Sequence, residues 1–135
     1  MSMIRLTHDA IDYHALTEQV RRPDCGAVVT FLGTVRDLTG DRVTTALDYE
    51  AYPGMAEKKM AEIERDTRER WPVGDIALVH RLGHLDVGEV SVAVAVSCPH
   101  RAEASNASRS WCRSGSASTG PTARRSGSTP VPSDE

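Results

Sequence analysis

Lysine is almost absent from this chain: Lys58 and Lys59 stand side by side, and none follows them in its 135 residues. Any chemistry needing a desolvated amine therefore has little to draw on. Phe31 is the single phenylalanine, although a hydrophobic content of 39% still allows one core in a domain of about 100 residues. The three cysteines (Cys25, Cys98 and Cys112) are odd in number and lack Cys-x-x-Cys spacing. That excludes a disulfide framework and a cysteine-based zinc site, and fits a reduced, cytoplasmic setting. No run approaches the ~20 apolar residues of a membrane span, and Met1–Leu6 lacks the pattern of a signal peptide. A net charge of -3 with a pI near 5.9 lacks the basic excess that generic nucleic-acid binding requires. Neither nucleic acid nor membrane is expected as a partner.

What is present reads as alternating strands and helices. Asp9–Val20 places Tyr13, Leu16 and Val20 at helical spacing, and His8 and His14 are assigned to that helix surface. Gly26–Val35 is apolar on both faces and predicts a central strand. Asp37–Asp41, with Gly40, reads as a turn, and Val43–Glu50 as a return strand. Pro53 suits a helix start, and the helix should run to about Arg70 with Ala56, Met60 and Ile63 toward the core. Ile76–Leu82 and Val90–Ser97 are further strands, joined through Gly83–Gly88. In the second, valines at 90, 92, 94 and 96 alternate with Ser91, Ala93 and Ala95, so its small face should be closely covered by a helix or a partner subunit. The fold expected is α+β, a mainly antiparallel sheet with packed helices.

Two places carry candidate chemistry. Arg36 leaves a strand into a polar loop, where a guanidinium either binds phosphate or carboxylate or is simply solvated. His100-Arg101 sits where a strand turns into a helix, and free backbone N–H groups there favour an anion. Pro99 ending the strand and His100 capping the helix explains the pair equally well. His80 and His84 are poorly spaced for a metal, with no third ligand in view, so no metal site is expected. Cys98 reads as an inert buried thiol rather than a nucleophile. Glu50 is conceivable as an acid, but a core tyrosine and a helix start account for its segment.

Four stretches in order, GAVVTFLGTVRD (26–37), LDYEAYPGMAEKKMAEI (47–63), HRLGHLDVGE (80–89) and CPHRAEA (98–104), resemble the catalytic subunit of molybdopterin synthase. The resemblance implies an α/β hammerhead fold and transfer of sulfur to cyclic pyranopterin monophosphate, giving molybdopterin. The sulfur donor would be the Gly-Gly thiocarboxylate of a ubiquitin-like small subunit, and two catalytic subunits would form a central homodimer. No metal or cofactor is implied. Matched by position, Phe31, Thr34, Val35 and Arg36 fall in one substrate-binding segment, and His100 and Arg101 in a second. Arg36 is the one matched residue assigned to catalysis.

The likeness stops after Ala104, where the family continues into a helix and a Pro-Ile-Trp-Lys-(Lys/Arg)-Glu motif bearing two lysines credited with the chemistry. Here Ser105–Glu135 is dominated by Ser, Gly, Pro and Thr, with Trp111 and Val131 its only large apolar side chains. The expectation is a body over 1–104, in which a helix begun at His100 is abandoned, and a disordered tail over 105–135. Codons for Ser110–Gly120 can be chosen so that a shifted frame spells Leu-Val-Pro-Ile-Trp-Lys-Arg-Glu-His-Trp. A frameshift after Ala104, with activity impaired by the missing lysines, is the reading this supports. The alternative is a non-catalytic scaffold subunit that pairs with an intact catalytic chain.

Overall fold

The computed structural model describes residues 2–36, 38–39, 42–43, 46–50, 54–107, 109, 122–126 and 129–130. In chain order the elements are β1 (Ser2–Thr7), α1 (Tyr13–Val20), β2 (Ala27–Thr34), β3 (Leu38–Thr39), β4 (Arg42–Val43) and β5 (Ala46–Glu50). Then come α2 (Met55–Arg70), β6 (Ile76–Arg81), β7 (Gly83–Asp86), β8 (Val90–Cys98), a third helix α3 over residues 101–107, β9 (Thr122–Ser126) and β10 (Thr129–Pro130). The main sheet has the order β1-β6-β8-β2. Two three-stranded sheets, β10-β4-β3 and β7-β5-β9, lie apart from it. All pairings are antiparallel except β1 with β6. The expected mixed, mainly antiparallel fold is the one found.

The alternation of β8 divides the core in two. On one face Val94, Val96 and Cys98 pack with Ile76 and Leu78 of β6 under Met60 of α2 and Ala104 and Ala107 of α3. On the other, Ala93 and Ala95 join Ala77 and Val79 under Leu16 and Val20 of α1. The small face of β8 is thus covered closely by a helix, as its sequence predicts. Val90 sits with this alanine side, because the β2–β8 register slips between Gly33 and Thr34 and shifts the last valine across. Helix α1 starts where the Asp12 carboxylate accepts from the Ala15 N–H at 3.0 Å. Helix α2 carries Glu57 in its first turn and Arg68 and Arg70 in its last, which suits its dipole.

Several expectations are corrected. β2 is an edge strand, not a central one. Its residues are apolar on both sides because helices cover both faces, whichever strands flank it. α3 does not stop at Ala104: Ala107, one turn on, is fully buried and continues the stripe, while Ser105 and Asn106 fall on the exposed side. His8 lies in the bend after β1 rather than on α1. β1 and β7 were not expected as strands. Within 105–135, besides α3, residues 122–126 and 129–130 are extended in β9 and β10. Asp37, Gly40, Asp41, Pro53, Trp111, Cys112 and Val131 lie outside the described residues. No helix among the described residues is long and apolar enough to cross a membrane.

Candidate functional site

Arg36 is positioned by the end of β2. Val35 before it is buried, and its backbone is clasped on both sides: its N–H donates to Glu89 O at 3.0 Å, and Gly88 N–H donates to its carbonyl at 2.9 Å. The turn that brings Glu89 back needs Gly88 at φ +89°, a region open to glycine. Arg36 therefore projects into solvent from a fixed point, and among the described residues it has no ion-pair partner. Thr34, beside it, is exposed as well.

The same end of the sheet holds a second arginine that sequence reasoning passed over. Arg81, the last residue of β6, donates from Nη1 to Glu89 Oε2 at 3.2 Å, and that oxygen also accepts the Asp86 N–H at 3.1 Å. The Arg81 Nε is buried with no hydrogen-bond partner among the described residues. The signal was the basic residue in the matched 80–89 stretch, but only the parallel course of β2 and β6 brings it to the end where Arg36 stands.

His100 and Arg101 are exposed at the start of α3. The His100 carbonyl accepts the Ala104 N–H at 3.3 Å, so His100 opens the helix and leaves the next backbone N–H groups free. Pro99 is tied to β2, its carbonyl accepting from Gly26 N–H at 3.3 Å. One opposing charge is present: Glu103 lies in the first turn, with Oε2 buried and unpaired among the described residues.

The two junctions do not meet within one chain. In the β2–β8 ladder Ala27 lies opposite Cys98, and Thr34 opposite Val90. Arg36 is therefore at one end of the strand pair and His100-Arg101 at the other. The ladder between those ends, from Ala27 to Thr34, by itself spans about 25 Å at ~3.4 Å per residue. Phe31 is mid-strand, opposite Val94, half-buried against the α2 and α3 face and next to neither end.

The remaining candidates are settled by their surroundings. Cys98 is fully buried, and burial first, then the nearby Cys25 and Glu103, pushes its thiol up to about 11. At neutral pH it is no thiolate, as its inert reading requires. Half-buried His80 has Nδ1 2.9 Å from the Arg81 carbonyl, and burial lowers its pKa. No group of three or more His, Cys, Asp or Glu among the described residues is arranged to hold a metal ion. Lys58 and Lys59 are exposed on α2, the latter 3.8 Å from Glu62.

Comparison with known proteins follows the same outline. The family model described as MoaE protein matches residues 6–112. The molybdopterin synthase catalytic subunit of Halalkalibacterium halodurans is 52% identical over 92 residues, which are 68% of this chain and 59% of that protein. The chain thus spans about three fifths of that relative's length. The crystal structure of molybdopterin synthase from Staphylococcus aureus superposes with a TM-score of 0.83 at 34% identity, covering 91% of this chain and 92% of that one. A complex of subunits 1 and 2 of the Helicobacter pylori molybdopterin-converting factor shares the fold at 16% identity, with a TM-score of 0.71 over 92% of this chain and 83% of that one.

Proposed function

We propose, because this chain belongs to the MoaE protein family, that it is by descent the sulfur-transferring subunit of a molybdopterin synthase. Its substrate would be cyclic pyranopterin monophosphate, and its sulfur donor the Gly-Gly thiocarboxylate tail of a ubiquitin-like small subunit, in the cytoplasm. The Helicobacter pylori complex of two subunits supports a small-subunit partner. The observation that carries the reading is chemical: both positions matched to substrate binding, Arg36 and His100-Arg101, are exposed at strand ends, and each carries a guanidinium. A guanidinium grips phosphate bidentately, and the open start of α3 offers N–H donors to a second anionic or carbonyl oxygen. The separation of about 25 Å supports a homodimer, since only a second copy can bring the two cation groups to one substrate.

The chain holds the anion-binding groups without the amines. Attack on an acyl carbon or polarisation of the thiocarboxylate calls for a desolvated lysine. Lys58 and Lys59 stand in water on α2, so neither replaces the two that the family places after Ala104. Within this proposal the coding frame is lost after Ala104, and α3 runs on because Ala107 falls by spacing on its buried side. Mixing the chain with thiocarboxylated small subunit and precursor tests the function. Weak precursor binding that Arg36→Ala or Arg101→Ala abolishes, with little molybdopterin formed, is expected. Normal turnover would refute the defect, and no precursor binding at all would refute the site. The nucleotide sequence around the Ala104 codon tests the frame, and an intact reading with no family-like shifted frame would overturn it.

A further inference from the structure

Arg81 closes β6 at the end of the sheet where Arg36 stands, and its backbone is held there. Thr7 of β1 lies opposite it, its carbonyl sits 2.9 Å from His80 Nδ1, and the next N–H, that of Leu82, donates to the Thr7 carbonyl at 2.7 Å. Its side chain is mostly buried and reaches Glu89, to whose Oε2 the Arg81 Nη1 donates at 3.2 Å.

Glu89 joins three parts of the chain. The carboxylate oxygen that takes the Arg81 guanidinium also accepts the Asp86 N–H at 3.1 Å. The Glu89 N–H donates to the Asp86 carbonyl at 3.1 Å, so the turn from Asp86 to Glu89 is closed by both backbone and side chain. The Glu89 carbonyl accepts the Val35 N–H, while the Gly88 N–H donates to the Val35 carbonyl. These two bonds carry the contact of β2 one residue past the Thr34–Val90 pair, the last in the ladder. Arg36 is the next residue.

We propose that Arg81 and Glu89 are a positioning pair for Arg36, a role that rests on the reading of Arg36 as a phosphate anchor. The terminal arginine of β6 fixes the turn whose backbone holds Val35, and so fixes the point from which the Arg36 guanidinium leaves the sheet. Such a brace is needed because the β2–β8 register slips between Gly33 and Thr34, and a slipped ladder turns the strand just before its exit. Aim matters to a guanidinium: its planar fork makes two parallel bonds to phosphate, and a tilt forfeits one of them. β8 lies between β6 and β2, so the Arg81 backbone is about two strand spacings, ~10 Å, from the exit of β2, and Arg81 acts through Glu89 rather than on substrate.

Charge and geometry predict opposite signs for one variant. Glu89→Gln keeps the shape of the side chain and removes a negative charge near the proposed anion site, which by charge alone tightens anion binding. It also loses the charge-assisted bond to Arg81, and with it the brace, which weakens binding. NMR titration of the full chain with cyclic pyranopterin monophosphate tests which prevails. Glu89→Gln and Arg81→Gln should each weaken binding about fivefold, and the double variant by the same fivefold, because both break one contact. A Glu89→Gln chain that binds as tightly as its parent, or tighter, overturns the pair, as does a double variant whose losses multiply to about 25-fold. Amide exchange reads the brace without ligand: in Glu89→Gln the Val35 N–H should exchange about fivefold faster, while that of Val94, in the core of β8, keeps its parental rate. An unchanged Val35 rate, or equal acceleration at Val94, overturns the positioning role. If the unaltered chain binds no precursor, the phosphate reading of Arg36 falls, and the Val35 amide alone decides whether Arg81 and Glu89 brace the strand end.

Discussion

Replacing Gly33 by alanine probes the join between fold and site, because Gly33 lies where β2 and β8 slip in register just before Arg36. A methyl group built there would stand 2.5 Å from Val92 Cγ1 and 3.7 Å from Ser91 Oγ. Carbon pairs rest at ~3.5–4.0 Å, so the first contact is short by at least about 1 Å. Val92 is β-branched and cannot swing a flexible end aside: it must leave its rotamer, at ~0.5–1.5 kcal/mol, or the strand must move. Overpacking of this kind costs ~1–3 kcal/mol. Gly33 does not have a positive φ, so alanine also gains ~0.4–1 kcal/mol by restricting the unfolded chain. The net expectation is a loss of about 1–2 kcal/mol.

Urea unfolding measures it. With a slope of ~1–2 kcal/mol per molar, the midpoint should fall by about 1 M with the slope unchanged. The decisive arm is a double-mutant cycle with Val92→Ala, which removes the clashing methyl. Gly33→Ala should cost almost nothing in that background, a coupling of about 1 kcal/mol or more. A Gly33→Ala protein as stable as its parent, or costs that simply add in the double variant, would show that the close approach does not constrain the strand.

The same reasoning reaches three other positions. Ala107→Asp should lose about 3 kcal/mol or more, since it places a carboxylate in the fully buried contact of α3; a thermal midpoint unchanged within error would show that α3 does not pack there. Cys98 should resist iodoacetamide at pH 8 while half-buried Cys25 reacts, with labelling at 98 appearing only on unfolding; equal rates, resolved by mass, would contradict its burial. His80 has a folded pKa held down by burial, so the unfolded chain takes up its proton first as pH falls. Its contribution is present above pH ~6.5 and is lost below that, toward the folded value. His80→Gln should accordingly flatten the fall in urea midpoint between pH 7.5 and 5.5, and an unchanged slope would exclude His80 as its source.

What could be read from the sequence follows a physical division. Elements whose signal is local periodicity, such as the valine alternation of β8 and the Met60–Ile63 face of α2, were legible; so was close cover over the small face of β8, though not whether a helix or a partner subunit supplies it. β1 pairs in parallel with a strand some seventy residues away, and β7 is four residues carrying a histidine and an aspartate; neither has a local pattern strong enough to announce itself. Gly26–Val35 shows the limit most sharply. Apolar character on both sides reports that both faces are covered and says nothing about strands on either edge, so a two-sided apolar run was read as central and proves to be lateral.

The site divides in the same way. That Arg36 and His100-Arg101 stand at strand ends could be read from composition and order, because a strand end is a local event. Whether they share an end is decided by the pairing of Ala27 with Cys98, a contact between residues far apart in sequence. The antiparallel ladder places them at opposite ends of the strand pair. The edge position of β2 and the distance between its two ends are both set by pairings between residues far apart in sequence, which no local pattern records.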